Sequence, residues 1–147
     1  MHPYISCLFT LEVQPAAFAE FKALIATIVT ATRAEPGTLF YEYSANEDTR
    51  TVHILERYHA DAVVSHVDTT FAPFGQRFLE LCSITSLVVY GTPDAEIRKR
   101  LDPFGAVYMT PFDGFSRQTA EFPAPNSRAT SSPHTPCDTP HAPAATV

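Results

Sequence analysis

The chain of 147 residues carries a formal net charge of −6 at pH 7, and its ten lysines and arginines form no extended basic stripe. Without such a stripe the protein cannot neutralise a run of phosphates, so nucleic acid is not an expected partner. No basic leader precedes an apolar run, and no segment reaches the roughly 20 apolar residues that cross a bilayer, which predicts a cytoplasmic protein with no membrane partner.

The first predicted strand and helix follow from apolar periodicity. Tyr4 to Val13 alternates as a half-buried strand does, with one face formed by Ile5, Cys7, Phe9, Leu11 and Val13. Pro15 then opens a helix whose apolar stripe recurs at steps of three and four residues: Phe18, Phe21, Ile25, Ile28 and Thr32. Glu35-Pro36-Gly37 ends this helix, because proline disfavours a helical residue before it and Gly37 is able to take a positive φ.

A hairpin and a second helical region are predicted next. Leu39–Ser44 and Thr51–Tyr58 are strand-forming runs joined by a polar turn segment. The helical region starts near Ala60 or Asp61 and breaks around Asp68–Thr70. It resumes with one apolar side made of Phe71, Phe74, Phe78 and Leu81.

The remaining elements are shorter. Ser83–Gly91 is a fourth strand, and the segment that starts at Thr92 forms a short helix with proline in its first turn and basic residues near its end, as the helix dipole favours. Pro103 and Gly105 end this helix. A final extended piece, Ala106–Thr110, is a candidate edge strand.

The composition changes sharply after Arg117. Proline, alanine, serine and threonine dominate the last thirty residues, where only Phe122 and Val147 are larger apolar groups. Such a segment buries too little apolar surface to offset the entropy cost of ordering it. We therefore predict one folded domain over residues 1–117, which includes a helical and extended segment at 92–117, and a disordered tail at 118–147.

The element order β-α-β-β-α-β is that of an α+β ferredoxin-like sandwich, in which both main helices cover one face of an antiparallel sheet. Apolar side chains nevertheless occupy both alternating sets of strand positions, as in Leu8 against Phe9, Phe40 against Tyr41, and Leu87 and Val89 against Ile84, Val88 and Tyr90. An open sheet normally presents a polar second face to water. We therefore predict a homodimer whose sheets pack face to face.

Three short motifs occur in order on these elements. They are the helix-ending Glu35-Pro36-Gly37, the strand-ending Glu56-Arg57-Tyr58, and His66 ten residues after Glu56. In this respect residues 3–91 resemble the antibiotic biosynthesis monooxygenase family. The resemblance implies a ferredoxin-like fold that dimerises through its sheets into an α+β barrel. The aromatic position is often tryptophan in that family, and this chain has no tryptophan.

Enzymes of this family oxidise phenols, quinols or aromatic polyketides with O2 and use neither metal nor flavin. The resemblance therefore implies a monooxygenase without a cofactor, with O2 as co-substrate. The chemistry requires an apolar pocket, a positioned base or hydrogen-bond donor, and exclusion of water. A pocket of a few hundred cubic ångströms or more with His66 in its wall would favour this interpretation. Two alternatives remain open: a non-catalytic ligand-binding or stress-related barrel, and a heme-binding or heme-degrading relative, which the missing tryptophan argues against.

Candidate site residues follow from their chemistry and their predicted faces. His66 is the candidate catalytic residue, because imidazole titrates near neutral pH and can take a phenolic proton. Glu56 shares a strand face with Tyr58, and if that face is covered it needs a partner, for which His66 or the other subunit is expected. The residues predicted to shape a pocket for a flat aromatic substrate are Tyr41, Tyr43, Glu56, Tyr58, Phe74 and Phe78.

No metal site is predicted. His53, His59 and His66 match no ligand spacing, and His53 should face away from Glu56. The cysteines Cys7, Cys82 and Cys137 are odd in number and far apart, which predicts reduced thiols that pack as small apolar groups.

Overall fold

A computed structural model describes residues 3–115 of the chain. Five strands and four helices form in chain order: β1 (Tyr4–Val13), α1 (Phe18–Thr32), β2 (Thr38–Asn46), β3 (Thr51–His59), α2 (Ala62–Ser65), α3 (Ala72–Leu81), β4 (Cys82–Tyr90), α4 (Ala95–Leu101) and β5 (Ala106–Met109). Short 3₁₀ turns precede α1 and follow α4, and a π-helical turn, His66–Phe71, joins α2 to α3. The predicted tail at 118–147, which contains Cys137, lies outside the described residues.

The strands form one sheet in the order β2-β3-β1-β4-β5. The first four pair antiparallel, whereas β5 runs parallel to β4. The chain therefore has the α+β ferredoxin-like fold expected from the element order, and the predicted edge strand is present as β5.

Two adjoining cores lie on the helix-covered face of the sheet. The first joins α1 and α3 to the sheet through residues such as Phe21, Ile28 and Phe78. The second joins α2 and α4 to the sheet through residues such as Val63 and Ile97. Helix α4 therefore covers the part of the inner sheet face that α1 and α3 leave open.

Helix α1 continues the 3₁₀ turn before it, and the combined stretch Pro15–Thr32 is long and apolar enough by length and composition to cross a membrane, with a mean hydropathy of 1.2. In the structure its buried residues are the predicted stripe of Phe18, Phe21, Ile25, Ile28 and Thr32, which packs in the first core. The apolar residues of α1 on this stripe therefore form part of the hydrophobic core.

The second helical region does not break as expected around Asp68–Thr70. The residues from His66 to Phe71 form a π-helical turn instead, so the helical path from α2 to α3 stays continuous. A π-helical turn widens the backbone locally and is frequently found at functional sites. This turn begins at His66, whose side chain is buried.

A β-bulge in β4 corrects the predicted faces of that strand. Thr10 pairs with Ser86 and Leu11 with Ile84, so Thr85 is an extra residue without a partner position on β1. The extra residue reverses the alternation, because side chains in a strand switch faces at every step. Ile84 therefore lies on the same, helix-covered face as Leu87 and Val89, and not with Val88 and Tyr90 as the simple alternation predicts.

Position 37 requires glycine for a different reason from the one predicted. Its φ is not positive, unlike those of Gly91, Gly105 and Gly114. A Cβ atom built on Gly37 would lie 2.4 Å from the Cβ of Ala62, so the residue is needed for the close approach of the Glu35-Pro36-Gly37 turn to α2. This contact fixes the end of α1 against the start of the second helical region.

The uncovered face of the sheet carries one continuous apolar row. Leu55, Leu8, Val88 and Val107 are direct partners across β3, β1, β4 and β5. Leu55 is 42% exposed and Val107 57% exposed in the single chain. Phe40, Tyr90 and Met109, all exposed, lie on the same face.

Candidate functional site

A cavity of about 140 Å³ lies between the two cores, under the helices and against the inner face of the sheet. Apolar and aromatic side chains form most of its wall. The exposed Leu79 of α3 also lines it, so the cavity reaches the surface beside that helix. Its volume is below the few hundred cubic ångströms that the sequence analysis set for the monooxygenase interpretation, and it is comparable to a cavity that holds one benzene ring.

His66 lies in the wall of this cavity and is held by Glu35. The Nδ1 atom of His66 is 3.0 Å from Oε2 and 3.2 Å from Oε1 of Glu35. The Glu35 carboxylate also accepts a hydrogen bond from the Thr38 hydroxyl. Because a carboxylate only accepts hydrogen bonds, Nδ1 is assigned the proton and Nε2 the free lone pair.

The protonation state of His66 suits a base. Burial lowers its pKa below 6.5, and the neighbouring Glu35 opposes part of that decrease. The imidazole is therefore neutral at pH 7. Within residues 3–115 its Nε2 atom makes no hydrogen bond, so it remains available to a molecule in the cavity.

Glu56 lies on the same cavity wall but is not paired with His66. Its side chain is 8% exposed, and its strand neighbours are Cys7 on β1 and Tyr41 on β2. Burial raises its pKa to about 8, an increase that the nearby Tyr58 hydroxyl partly offsets. The expected Glu56–His66 pair does not form, because Glu35 occupies Nδ1 and the rings of Tyr41 and Tyr58 pack against the imidazole.

The three predicted tyrosines meet at this cavity. The hydroxyls of Tyr41 and Tyr43 are 2.9 Å apart and hydrogen-bonded, and the Tyr41 and Tyr58 ring centroids lie 5.4 Å and 5.0 Å from that of His66. Burial raises the pKa of all three tyrosines well above the ordinary value, so they remain hydrogen-bond donors. The buried Tyr58 hydroxyl makes no hydrogen bond of normal geometry to any described residue.

Only one of the two phenylalanines predicted to shape the pocket lies in the cavity wall. Phe78 lines the cavity as predicted, whereas Phe74 packs against the first core and is not part of the wall. Its place is taken by Phe71, the last residue of the π-helical turn, which the sequence analysis assigned to the core. The widened turn accounts for the change, because it rotates the face that the following helix presents.

The site also contains residues that were not predicted to belong to it. Glu35 was identified only as part of a helix-ending motif, although a carboxylate at the C-terminal end of a helix is electrostatically unfavourable and is therefore a signal of another role. Leu101 and Phe104, from α4 and the turn after it, close one side of the cavity. They belong to the segment at 92–117 to which no role was assigned.

The other two histidines of residues 3–115 lie away from the site. His53 and His59 are exposed on the uncovered face of β3, on the side away from His66. In the described part of the chain, no three histidine, cysteine, aspartate or glutamate side chains are grouped as ligands for one metal ion. Cys7 and Cys82 are free, buried thiols.

Solved structures share this architecture. MupZ from Pseudomonas fluorescens is 26% identical, with a TM-score of 0.70, over 80% of this chain and 91% of MupZ. A Caulobacter crescentus protein, provisionally named an antibiotic biosynthesis monooxygenase, is 27% identical with a TM-score of 0.53, over 59% of this chain and 85% of that protein. The match to MupZ covers more of the chain than residues 3–91, so the likeness extends beyond the segment that carries the three motifs.

A more distant structure has a stated activity. SnoaB from Streptomyces nogalater, a cofactor-independent oxygenase, is 14% identical with a TM-score of 0.52, over 63% of this chain and 96% of SnoaB, which shows a shared fold. No curated protein matches the chain. Residues 5–70, which contain Glu35-Pro36-Gly37, Glu56 and His66, match the sequence model of the antibiotic biosynthesis monooxygenases. With this match and the shared architecture, the domain that contains residues 5–70 is an antibiotic biosynthesis monooxygenase domain.

Proposed function

We propose that the protein is a cofactor-independent monooxygenase that oxidises a single-ring quinol or phenol with O2. The observation that carries this proposal is the His66–Glu35 pair at the wall of an apolar cavity. It supplies a neutral base where an aromatic ring would bind. The domain match and the fold shared with a cofactor-independent oxygenase support the reaction class.

The first step is proton removal. His66 Nε2 takes the phenolic proton, and the Glu35 carboxylate stabilises the imidazolium that forms. The resulting phenolate is electron-rich enough to reduce O2, with which a neutral closed-shell phenol reacts poorly. The buried hydroxyl of Tyr58 lies near Glu56 in the cavity wall without a hydrogen bond of normal geometry to a described residue, and in this proposal it donates one to the phenolate oxygen.

The oxygen chemistry then balances without a cofactor. Hydroquinone and O2 give hydroxybenzoquinone and water, so the quinol supplies all four electrons that reduce O2. One oxygen atom enters the ring and the other leaves as water. The apolar wall, formed by groups such as Phe71, Phe78 and Leu101, keeps bulk water from the reactive intermediate.

The size of the cavity narrows the substrate class. A volume of about 140 Å³ suits one aromatic ring, whereas multi-ring polyketides need the larger pockets of roughly 300–1,000 Å³ that hold drug-sized ligands. The family resemblance implies quinols, phenols or aromatic polyketides as substrates. We favour the quinol and phenol members of that set.

We also propose that the protein is a homodimer through the uncovered sheet face. The apolar row of Leu55, Leu8, Val88 and Val107 crosses four strands in register. Its surroundings include exposed Phe40 and Met109, so a second copy would remove a sizeable apolar surface from water. The isologous packing of two such faces is the common way in which identical subunits associate.

Oxygen consumption tests the proposed activity. We expect the wild-type protein to consume O2 with hydroquinone and methylhydroquinone in the presence of a metal chelator, and His66→Ala to be slower by about 100-fold or more. His53→Ala is the matched control, because His53 is exposed on the other face of the sheet. Equal rates for wild type and His66→Ala would remove the catalytic role of His66.

A further inference from the structure

Glu56 is a buried carboxyl group without a cationic partner. It lies on the cavity face of β3, and no described residue of the cavity wall is a lysine or an arginine. The one histidine in the wall, His66, is bonded to Glu35 instead. An isolated carboxylate in apolar surroundings is strongly disfavoured, so Glu56 keeps its proton near neutral pH.

The groups around Glu56 make it the proton donor of the cavity. The titratable side chains that face it are the thiol of Cys7 on β1, the hydroxyls of Tyr41 and Tyr43 on β2, and the hydroxyl of Tyr58 on β3, with Glu35 and His66 on the helical side. Burial raises the pKa of the thiol and of the three hydroxyls far above neutrality. Glu56 is therefore the strongest acid among the protonated groups.

The cavity thus holds a donor and an acceptor that do not neutralise each other. Glu56 carries a proton, and His66 presents a free Nε2 lone pair. The two side chains are not hydrogen-bonded to each other, and the rings of Tyr41 and Tyr58 contact the imidazole beside them. A molecule that needs a proton removed at one atom and added at another is what this arrangement suits.

We infer that the protein also tautomerises cyclic ketones to enols and phenols, with Glu56 donating a proton to the carbonyl oxygen while His66 removes one from the adjacent carbon. The C–H electron pair becomes the new C=C bond, and the carbonyl π pair forms the O–H bond. Solvent then returns a proton to Glu56 and takes one from His66. This inference deepens the proposed function, because it uses the same cavity and the same base, but it requires no oxygen.

The substrate class follows from the cavity. A single ring fits, and the keto isomer of a quinol carries both a carbonyl oxygen for Glu56 and an acidic C–H for His66. The Tyr58 hydroxyl, with no hydrogen bond of normal geometry to residues 3–115, can stabilise the developing enolate oxygen. Cyclohex-2-ene-1,4-dione is the diketo isomer of hydroquinone, so its conversion changes neither its atoms nor its oxidation state.

The test is the conversion of cyclohex-2-ene-1,4-dione to hydroquinone under nitrogen, followed by absorbance. We expect the full-length wild-type protein to accelerate it over buffer. Glu56→Gln should slow the catalysed rate by about 100-fold, and His66→Ala by a similar factor. Glu47→Gln is the matched control, because Glu47 is exposed in the turn between β2 and β3, away from the cavity and from the apolar row, and it should retain the wild-type rate.

Infrared spectroscopy provides a readout that needs no substrate. At pH 7 the wild-type protein should show the C=O band of a protonated carboxylic acid, which Glu56→Gln removes and Glu47→Gln leaves in place. A wild-type rate equal to that of buffer, or a Glu56→Gln rate equal to that of wild type, would overturn the inference. Tautomerisation without O2 uptake on hydroquinone would support the inference and remove the proposed oxygenase function. O2 uptake without tautomerisation would overturn the inference and leave the proposed oxygenase function in place.

Discussion

The carboxylate of Glu35 and the imidazole of His66 are joined by a hydrogen bond of 3.0 Å. This contact connects the turn that ends α1 with the first residue of the π-helical turn. The close approach of Gly37 to Ala62 brings these two segments together. The helix-ending motif therefore contributes directly to the site, since it supplies the group that orients the candidate base.

Replacing Glu35 with Gln should reduce kcat/KM for quinol oxidation by about tenfold or more. The amide can donate a hydrogen bond to Nδ1, which would move the imidazole proton to Nε2 and remove the lone pair from the cavity. The pKa of His66 should fall further, because Glu35 raises it in the wild-type protein. Steady-state kinetics and an NMR titration of His66 check the two effects, and Glu47→Gln in the exposed turn between β2 and β3 serves as control. An unchanged kcat/KM would separate Glu35 from the reaction.

The activity should depend on pH through the neutral form of His66. Burial holds its pKa below the ordinary value, so the imidazole is mostly neutral at pH 7 and above, and kcat/KM should fall as the pH decreases through that lowered pKa. The same group should weaken folding in acid, because the unfolded chain binds the proton more readily than the folded one does. A pH–rate profile that begins to fall above pH 7 on its acid side would contradict this assignment.

Glu56→Gln should stabilise the protein at alkaline pH. The pKa of Glu56 is about 8 in the folded state against 4.5 as its ordinary value, so the unfolded chain releases the proton first. Wild-type stability should therefore fall between pH 4.5 and 8, by at most about 5 kcal/mol from this group, and then level off. Urea unfolding of both proteins at pH 5 and pH 8.5 checks this. Identical pH dependence in the two would show that Glu56 is ionised in the folded state.

Gly37→Ala should destabilise the fold by about 1–3 kcal/mol, because the new Cβ would lie 2.4 Å from that of Ala62. Removing the opposing methyl group in the Gly37→Ala, Ala62→Gly double variant should recover part of the loss. Gly75→Ala is the control, since its Cβ would make an ordinary 3.5 Å contact with Phe71. Thermal unfolding measures all three. A double variant no more stable than Gly37→Ala would mean that the contact with Ala62 is not the cause.

The proposed dimer should dissociate when a charge enters its apolar row. We expect wild-type protein to scatter light as a dimer at micromolar concentration and Leu8→Asp, at the centre of the row, to be monomeric. Thr27→Asp, on the exposed side of α1, should leave the dimer intact. A monomeric wild-type protein would contradict the proposal.

Local patterns predicted most of the fold. The stripe from Phe18 to Thr32 and the alternation around Glu56 and Tyr58 each determine a buried face within one element, so their burial follows from periodicity. The bulge at Thr85 was not predictable in this way, because one extra residue leaves the apolar pattern of the strand unchanged while it exchanges the two faces.

The site was predicted only in part, for a related reason. Tyr41, Tyr43, Tyr58 and His66 meet because strand faces and one helix bring them together. The partner of His66 depends on how two distant segments pack, and Glu35 lies 31 residues away along the chain. The π-helical turn likewise replaces Phe74 with Phe71 in the cavity wall, and residue spacing alone does not distinguish a π-helical turn from a break.

The most direct measurement of the central claim is the fate of the oxygen atoms. Hydroquinone should be oxidised under ¹⁸O₂ in ordinary water, and the product analysed by mass spectrometry after rapid quenching. We predict one ¹⁸O atom in the hydroxybenzoquinone formed by wild type and by His53→Ala, with a yield reduced about 100-fold in His66→Ala. An unlabelled product, or the same labelled yield from His66→Ala, would contradict an oxygenase whose base is His66.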